Sequence, residues 1–150
     1  MPLVTADITR HGAVIDVFLG VSRNRQAMLE KHKLPVPPKV GLRALIDTGA
    51  AISGFTPPVF TQLGIGPVGV IPVRTPSTIP GQPCSCSVFD VILYILSGLE
   101  QTPFPLHALA YGDFDRDPVG DLHGILGRDV LQHCNLTYLG PEKRFELGWA

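Results

Sequence analysis

Apolar residues run through this chain in short alternating or clustered stretches, and nearly every stretch is closed by glycine or proline. Gly12 to Val21 is rich in β-branched and aromatic residues between glycines, so it reads as a strand, the first of the sheet, with Asp16 turned away from Ile15 and Val17. From Val40 onward, Val40, Leu42, Ala44 and Ile46 share one strand face, and Arg43, Leu45 and Asp47 share the other. Val88 to Ile95 is a further strand. Leu136 to Trp149 reads as a hairpin, an apolar strand followed by a Gly140-Pro141 turn and an alternation of Phe145 and Leu147 with Glu146. Helical patterns are brief. One covers Asn24 to Lys33, and a second covers Pro58 to Leu63, with proline in its first turn and Gly64 as its stop. A third places Leu126, Val130, Leu131 and Cys134 at i, i+4, i+5 and i+8, a face to bury against the sheet. The pattern predicts an all-β fold.

Composition narrows the picture. At 150 residues the chain is expected to be one domain, since about 68–70% of the unfolded surface can be buried at that length. Sixteen glycines and fifteen prolines punctuate many short strands rather than long helices. A net charge of −1 supplies no basic field for a phosphate backbone, so no nucleic-acid partner is expected. Met1 to Asp7 has neither a basic nor an apolar leader region, and no apolar run reaches the ~20 residues that span a bilayer. The expectation is a cytoplasmic protein without a membrane partner. Three cysteines, an odd number, fit reduced thiols. Cys84 and Cys86 share a strand face that suits a soft metal, but no second pair or spaced histidine motif accompanies them, so neither metal nor cofactor is expected. The acids between Tyr111 and Asp121 alternate as in a calcium loop. Pro118 and Gly124, however, stand where such a loop needs its glycine and its glutamate. His107, His123 and His133 lack a spaced partner and read as surface or hydrogen-bonded histidines.

Asp47-Thr48-Gly49-Ala50 carries the chemistry. It puts a carboxylate at the end of a buried strand, where it must be hydrogen-bonded, paired or proton-sharing. Thr48 can donate a hydroxyl, Gly49 lets backbone amides come close, and Ala50 leaves room above. Alone, the tetrapeptide reads better as a polar turn that carries no chemistry. The second segment, Gly124-Ile125-Leu126-Gly127-Arg128-Asp129-Val130-Leu131, sets two apolar residues and a glycine directly before a helix and makes the pair far more specific.

Together these segments resemble the retropepsin-like aspartic proteases, single-domain relatives of pepsin, over roughly residues 10 to 149. The resemblance implies a pepsin-like closed β-barrel half with one short C-terminal helix and a flap hairpin, working as a two-fold homodimer on a peptide or protein substrate. It assigns catalysis to Asp47, Thr48 and Gly49, and substrate binding to Ala50, Thr78, Ile79, Gly81 and Ile125. Val73 to Pro83 is the implied flap, with Gly81 near its tip and Pro76, Pro80 and Pro83 stiffening it. Relative to compact members, residues 22–39 form an insertion, with five cations, Arg23, Arg25, Lys31, Lys33 and Lys39, against Glu30. Such a stretch reads as a solvated surface or as a docking element.

Because the chain has a single Asp-Thr-Gly, each protomer would lend one Asp47 to a pair that shares a proton and activates water as a peptidase. One departure stands out. Where viral members carry acids that pair with an arginine, this chain has Ala51-Ile52-Ser53, which leaves open the partner of Arg128, with Asp129 one option. That departure and the proline-laden flap favour the alternative, a module that grips peptides or dimerises without cutting. A hydrolase using Ser53 or Cys134 lacks a nucleophile-elbow pattern and an ordered histidine.

Overall fold

The glycine- and proline-bounded apolar runs fold into strands joined by short helices in this computed structural model, which describes residues 1–74, 84–111 and 122–150. In chain order they are β1 (Leu3–Thr9), β2 (Gly12–Val21), α1 (Arg23–Lys31), β3 (Val40–Ile46), β4 (Gly54–Phe55), α2 (Pro57–Gln62) and β5 (Gly69–Val73). There follow β6 (Cys84–Ser97), β7 (Glu100–Ala110), β8 (Gly124–Leu126), α3 (Arg128–Leu131), β9 (Cys134–Leu139) and β10 (Arg144–Trp149). The architecture is all-β, as expected. Among the described residues no helix is long and apolar enough to cross a membrane.

Six strands close into a ring, β2–β3–β8–β4–β7–β6, because β2 pairs with β6 as well as with β3. Closure gives these strands neighbours on both sides and removes the edges that an open sheet would expose. Most pairings are antiparallel, but β3 runs parallel to β8 and β4 parallel to β7. The ring is filled by Leu19, Ala44, Phe55, Val91, Leu93, Ile95, Ala108 and Leu126, all inaccessible to solvent. Phe60 of α2 stacks on Phe89 at 4.1 Å between ring centroids and joins the same core. Asp16, exposed on β2, faces Arg43 across the β2–β3 ladder at 3.5 Å.

Outside the ring, β1 leaves β2 and joins β10, which pairs with β9. Trp149 anchors this extension: it is buried, meets Phe104 edge-on and donates from Nε1 to Thr102 Oγ1 at 2.9 Å. A cleft of about 600 Å³ lies where β1 and β2 part, lined by Val4, Asp7, Val14, Phe18 and Arg43 among others.

Two expectations need correction. Gly12–Val21 is the second strand, because Leu3–Thr9 precedes it with alternating exposure. Val4, Ala6 and Ile8 alternate with Thr5 and Asp7 at a period of two, a strand signal that sequence reasoning missed, and β10 pairs with this segment. The helix before the C-terminal hairpin is also shorter than the face Leu126–Cys134 implied. α3 ends at Leu131, and Cys134 opens β9. The i to i+8 spacing was shared between two elements: Cys134 and Leu136 are half-buried at a period of two, as pairing with β10 demands. By contrast, α1, α2 and the terminal hairpin lie within two residues of their expected places.

Candidate functional site

The alternation that buries Leu42, Ala44 and Ile46 carries β3 to its end against β8, with Leu45 opposite Ile125 and Ile46 opposite Leu126. Asp47 extends this parallel pairing by one bond, its N–H donating to Leu126 O at 2.9 Å. The chain then turns tightly. Gly49 N–H donates to Asp47 Oδ1 at 2.9 Å, and Ala50 N–H donates to Asp47 O at 3.2 Å. Asp47 is half-buried, while Thr48 and Gly49 are exposed. A Cβ at position 49 would come 3.2 Å from Asp47 Oδ1, so glycine there keeps the amide on the carboxylate without crowding it. Among the described residues Asp47 forms no ion pair.

β8 and α3 hold this loop from beneath. Arg128 N–H donates to Ala50 O at 2.8 Å, and Arg128 Nη1 donates to Thr48 O at 2.9 Å. Gly127 lies so close under the loop that a Cβ would stand 2.9 Å from both Ala50 O and the carbonyl carbon of Ile52. Both are backbone atoms with no rotamer to yield. The Ile125-Leu126-Gly127 element therefore ends in glycine for a steric reason, the passage of residues 50–52 over it.

Ser53 closes the loop. It is 0% exposed, and each of its polar groups is used. Its hydroxyl donates to Asp129 Oδ1 at 2.6 Å and accepts from Gly127 N–H at 2.9 Å. Its N–H donates to Asp129 Oδ2 at 2.9 Å, and its carbonyl accepts from Leu109 N–H at 3.0 Å. Asp129 Oδ1 also takes Val130 N–H at 2.9 Å. Charge-assisted bonds of this kind are shorter and roughly twice as strong as neutral ones.

Of the residues singled out from sequence, Asp47, Thr48, Gly49 and Ala50 form one turn, and Ile125 lies half-buried beside β3. Thr78, Ile79 and Gly81 lie outside the described residues, as do Asp113, Asp115, Asp117 and Asp121. The strands that flank residues 74–83, β5 and β6, pair from Gly69 with Val88 to Val73 with Cys84. Arg128 turns to the Thr48 carbonyl, and the acid that neighbours it, Asp129, is taken by Ser53 instead. Sequence reasoning did not find the Ser53–Asp129 pair; its signal was a lone hydroxyl between apolar Ile52 and Phe55, seventy-six positions from its partner. Ser53, buried and bonded to a carboxylate with no histidine, is not placed as a nucleophile. Burial pushes the Cys134 thiol up, which leaves it protonated and unreactive near neutral pH. His123 Nδ1 accepts from Arg43 N–H at 3.1 Å, the structural role expected of it.

No protein-family model matches the chain, and no curated protein does. Solved structures do. A retropepsin-like aspartic protease from Rickettsia conorii superposes with a TM-score of 0.57 over 98% of this chain and 90% of its own, at 16% identity. EIAV protease in complex with the inhibitor HBY-793 aligns over 80% of this chain and 85% of its own, with a TM-score of 0.40 and 17% identity. The first likeness spans nearly the whole of both chains, and the fold is retropepsin-like.

Proposed function

We propose that this protein is an aspartic endopeptidase that hydrolyses peptide bonds with water activated between the Asp47 carboxylates of two copies of the chain. The observation that carries this reading is the state of Asp47. It stands at a strand end on an exposed turn, with one oxygen held by the Gly49 amide and no cation paired with it among the described residues. The Gly49 bond is the one an ordinary Asx turn makes, but it engages Oδ1 alone. Here Oδ2 has no such partner among the described residues and is left for chemistry.

One carboxylate is not enough. The chain has a single Asp-Thr-Gly, so a two-fold contact between copies supplies the second, with the exposed Thr48 and Gly49 nearest the axis. Two carboxylates at hydrogen-bonding distance hold one proton between them. The ionised member removes a proton from the bound water as its oxygen attacks the scissile carbonyl carbon, while the protonated member hydrogen-bonds the carbonyl oxygen. Collapse of the tetrahedral intermediate breaks the C–N bond, and a proton passes to the leaving amine. Thr48 braces the two turns across the axis, and Ala50 and Ile125 border the groove. The substrate is an extended peptide, read as an added strand.

Two measurements test this reading. Sedimentation at micromolar concentration is expected to give a dimer, since a strict monomer cannot assemble the pair. Incubation with a mixed peptide library between mildly acidic and neutral pH is expected to show cleavage by the wild type and at least about 100-fold less by Asp47→Asn. Equal cleavage by both proteins removes Asp47 from the reaction, and binding without cleavage by either makes the protein a peptide-gripping module.

A further inference from the structure

We infer that Ser53 and Asp129 are positioning residues, a buried joint through which α3 sets the place of the Asp47 turn. The kinetic part of this inference rests on the proposed hydrolysis; the structural part does not. Four features of the joint point beyond ordinary packing.

First, the bonds are long-range and converge. Ser53 to Asp129, Ser53 to Gly127 and Arg128 to Thr48 link segments 74 to 80 positions apart, and all of them join residues 48–53 to residues 127–129. Second, Ser53 is fully committed, with no polar group free to turn toward solvent. Such a residue has one low-energy position, and it transmits that position to its neighbours. Third, Gly127 is both the donor to the Ser53 hydroxyl and the floor on which Ala50 and Ile52 rest. Displacing Ser53 therefore moves the surface that supports the turn. Fourth, the acid is on the helix. Residues 48–53 carry no carboxylate with which to grip Arg128, and Asp47 forms no ion pair among the described residues. Arg128 instead donates to the neutral Thr48 carbonyl, and the carboxylate that grips the loop is Asp129, through the Ser53 hydroxyl and N–H.

Neither Ser53 nor Asp129 touches the reacting atoms. Their effect is on where the Asp47 oxygens stand, and misplacement of a reacting group by about 1 Å costs on the order of 100-fold in rate. The test compares Ser53→Ala, Ser53→Thr and Asp129→Asn with the wild type. Ser53→Ala is expected to lower kcat about 10- to 100-fold with KM held within about twofold, and Ser53→Thr, which keeps the hydroxyl, to recover most of the loss. Asp129→Asn keeps an oxygen for the Ser53 O–H but sets an NH2 against the Ser53 N–H, and is expected to fall between.

Amide hydrogen exchange tests the joint without any cleavage. The amides of Asp47, Ala50 and Arg128, none of which bonds to Ser53, are expected to exchange at least about tenfold faster in Ser53→Ala, while those of β6 keep their wild-type rates. A uniform rise across all amides, or no change at these three, overturns the inference and leaves Ser53 a packing residue. Absence of cleavage by the wild type overturns the proposed hydrolysis instead, and the exchange rates at these three amides then decide for or against the joint by themselves.

Discussion

The β6–β7 hairpin and the Asp47 turn lie in one barrel but are held by opposite means. β6 and β7 pair over ten consecutive positions, from Val88 with Leu109 to Ser97 with Glu100, and bury Val91, Leu93, Ile95, Leu106 and Ala108. Their order comes from neighbours in sequence and from apolar area, which is non-directional and tolerates small shifts. The turn from Asp47 to Ser53 is held by hydrogen bonds to residues more than seventy positions away, with exposed Thr48 and Gly49 at its crest. Hydrogen bonds fail steeply with angle and distance, so this region trades robustness for accuracy of placement. One region makes the protein stable, and the other makes a carboxylate available.

Crossed experiments sharpen the contrast. The largest expected effect is on the turn: Asp47→Asn should lower cleavage by about 10²- to 10⁴-fold, the usual share of an acid–base group, while thermal unfolding followed by circular dichroism stays within error of the wild type. Next, Leu93→Ala should cost about 2–5 kcal/mol in urea unfolding, yet leave kcat per folded molecule unchanged below the transition. A substitution at Gly127 falls between these poles. Gly127→Ala should lose about 1–3 kcal/mol from the clash with Ala50 and Ile52, and its cleavage rate should drop further than that stability loss accounts for. Were Leu93→Ala to impair kcat as severely as Gly127→Ala, the division between the two regions would be lost. The smallest effect is expected from Trp149→Phe, which gives up the bond to Thr102 and should cost about 1 kcal/mol with cleavage intact.

Much of this arrangement was legible in the chain. β2, β3, α2 and the terminal hairpin follow from local periodicity and from glycine and proline placement, because burial of one face or two is written at a spacing of two or 3.6 residues. The Asp47 turn was legible for the same reason: strand, carboxylate, glycine and small residue are contiguous. β1 was missed although Val4, Ala6 and Ile8 alternate with Thr5 and Asp7; what could not be read is that its partner is β10, at the far end of the chain. Nor was the end of α3 legible, where one apolar spacing served a short helix and a strand in turn. β7 was hidden by Pro103 and Pro105, which local rules treat as strand breakers; in the barrel it pairs with β6 from Glu100 to Leu109 regardless.

By itself, then, the order of residues determined an all-β chain with a carboxylate at a strand end and, eighty positions on, two apolar residues and a glycine directly before a helix. Only the tertiary structure decided that β2 closes the ring by pairing with β6, that Gly127 is the floor under residues 50–52, and that Asp129 serves Ser53 while Arg128 serves Thr48. The physical reason is range. Backbone preference and side-chain periodicity act over a few residues and can be read along the chain, whereas a hydrogen bond between residues 53 and 129 exists only once the barrel has brought them together.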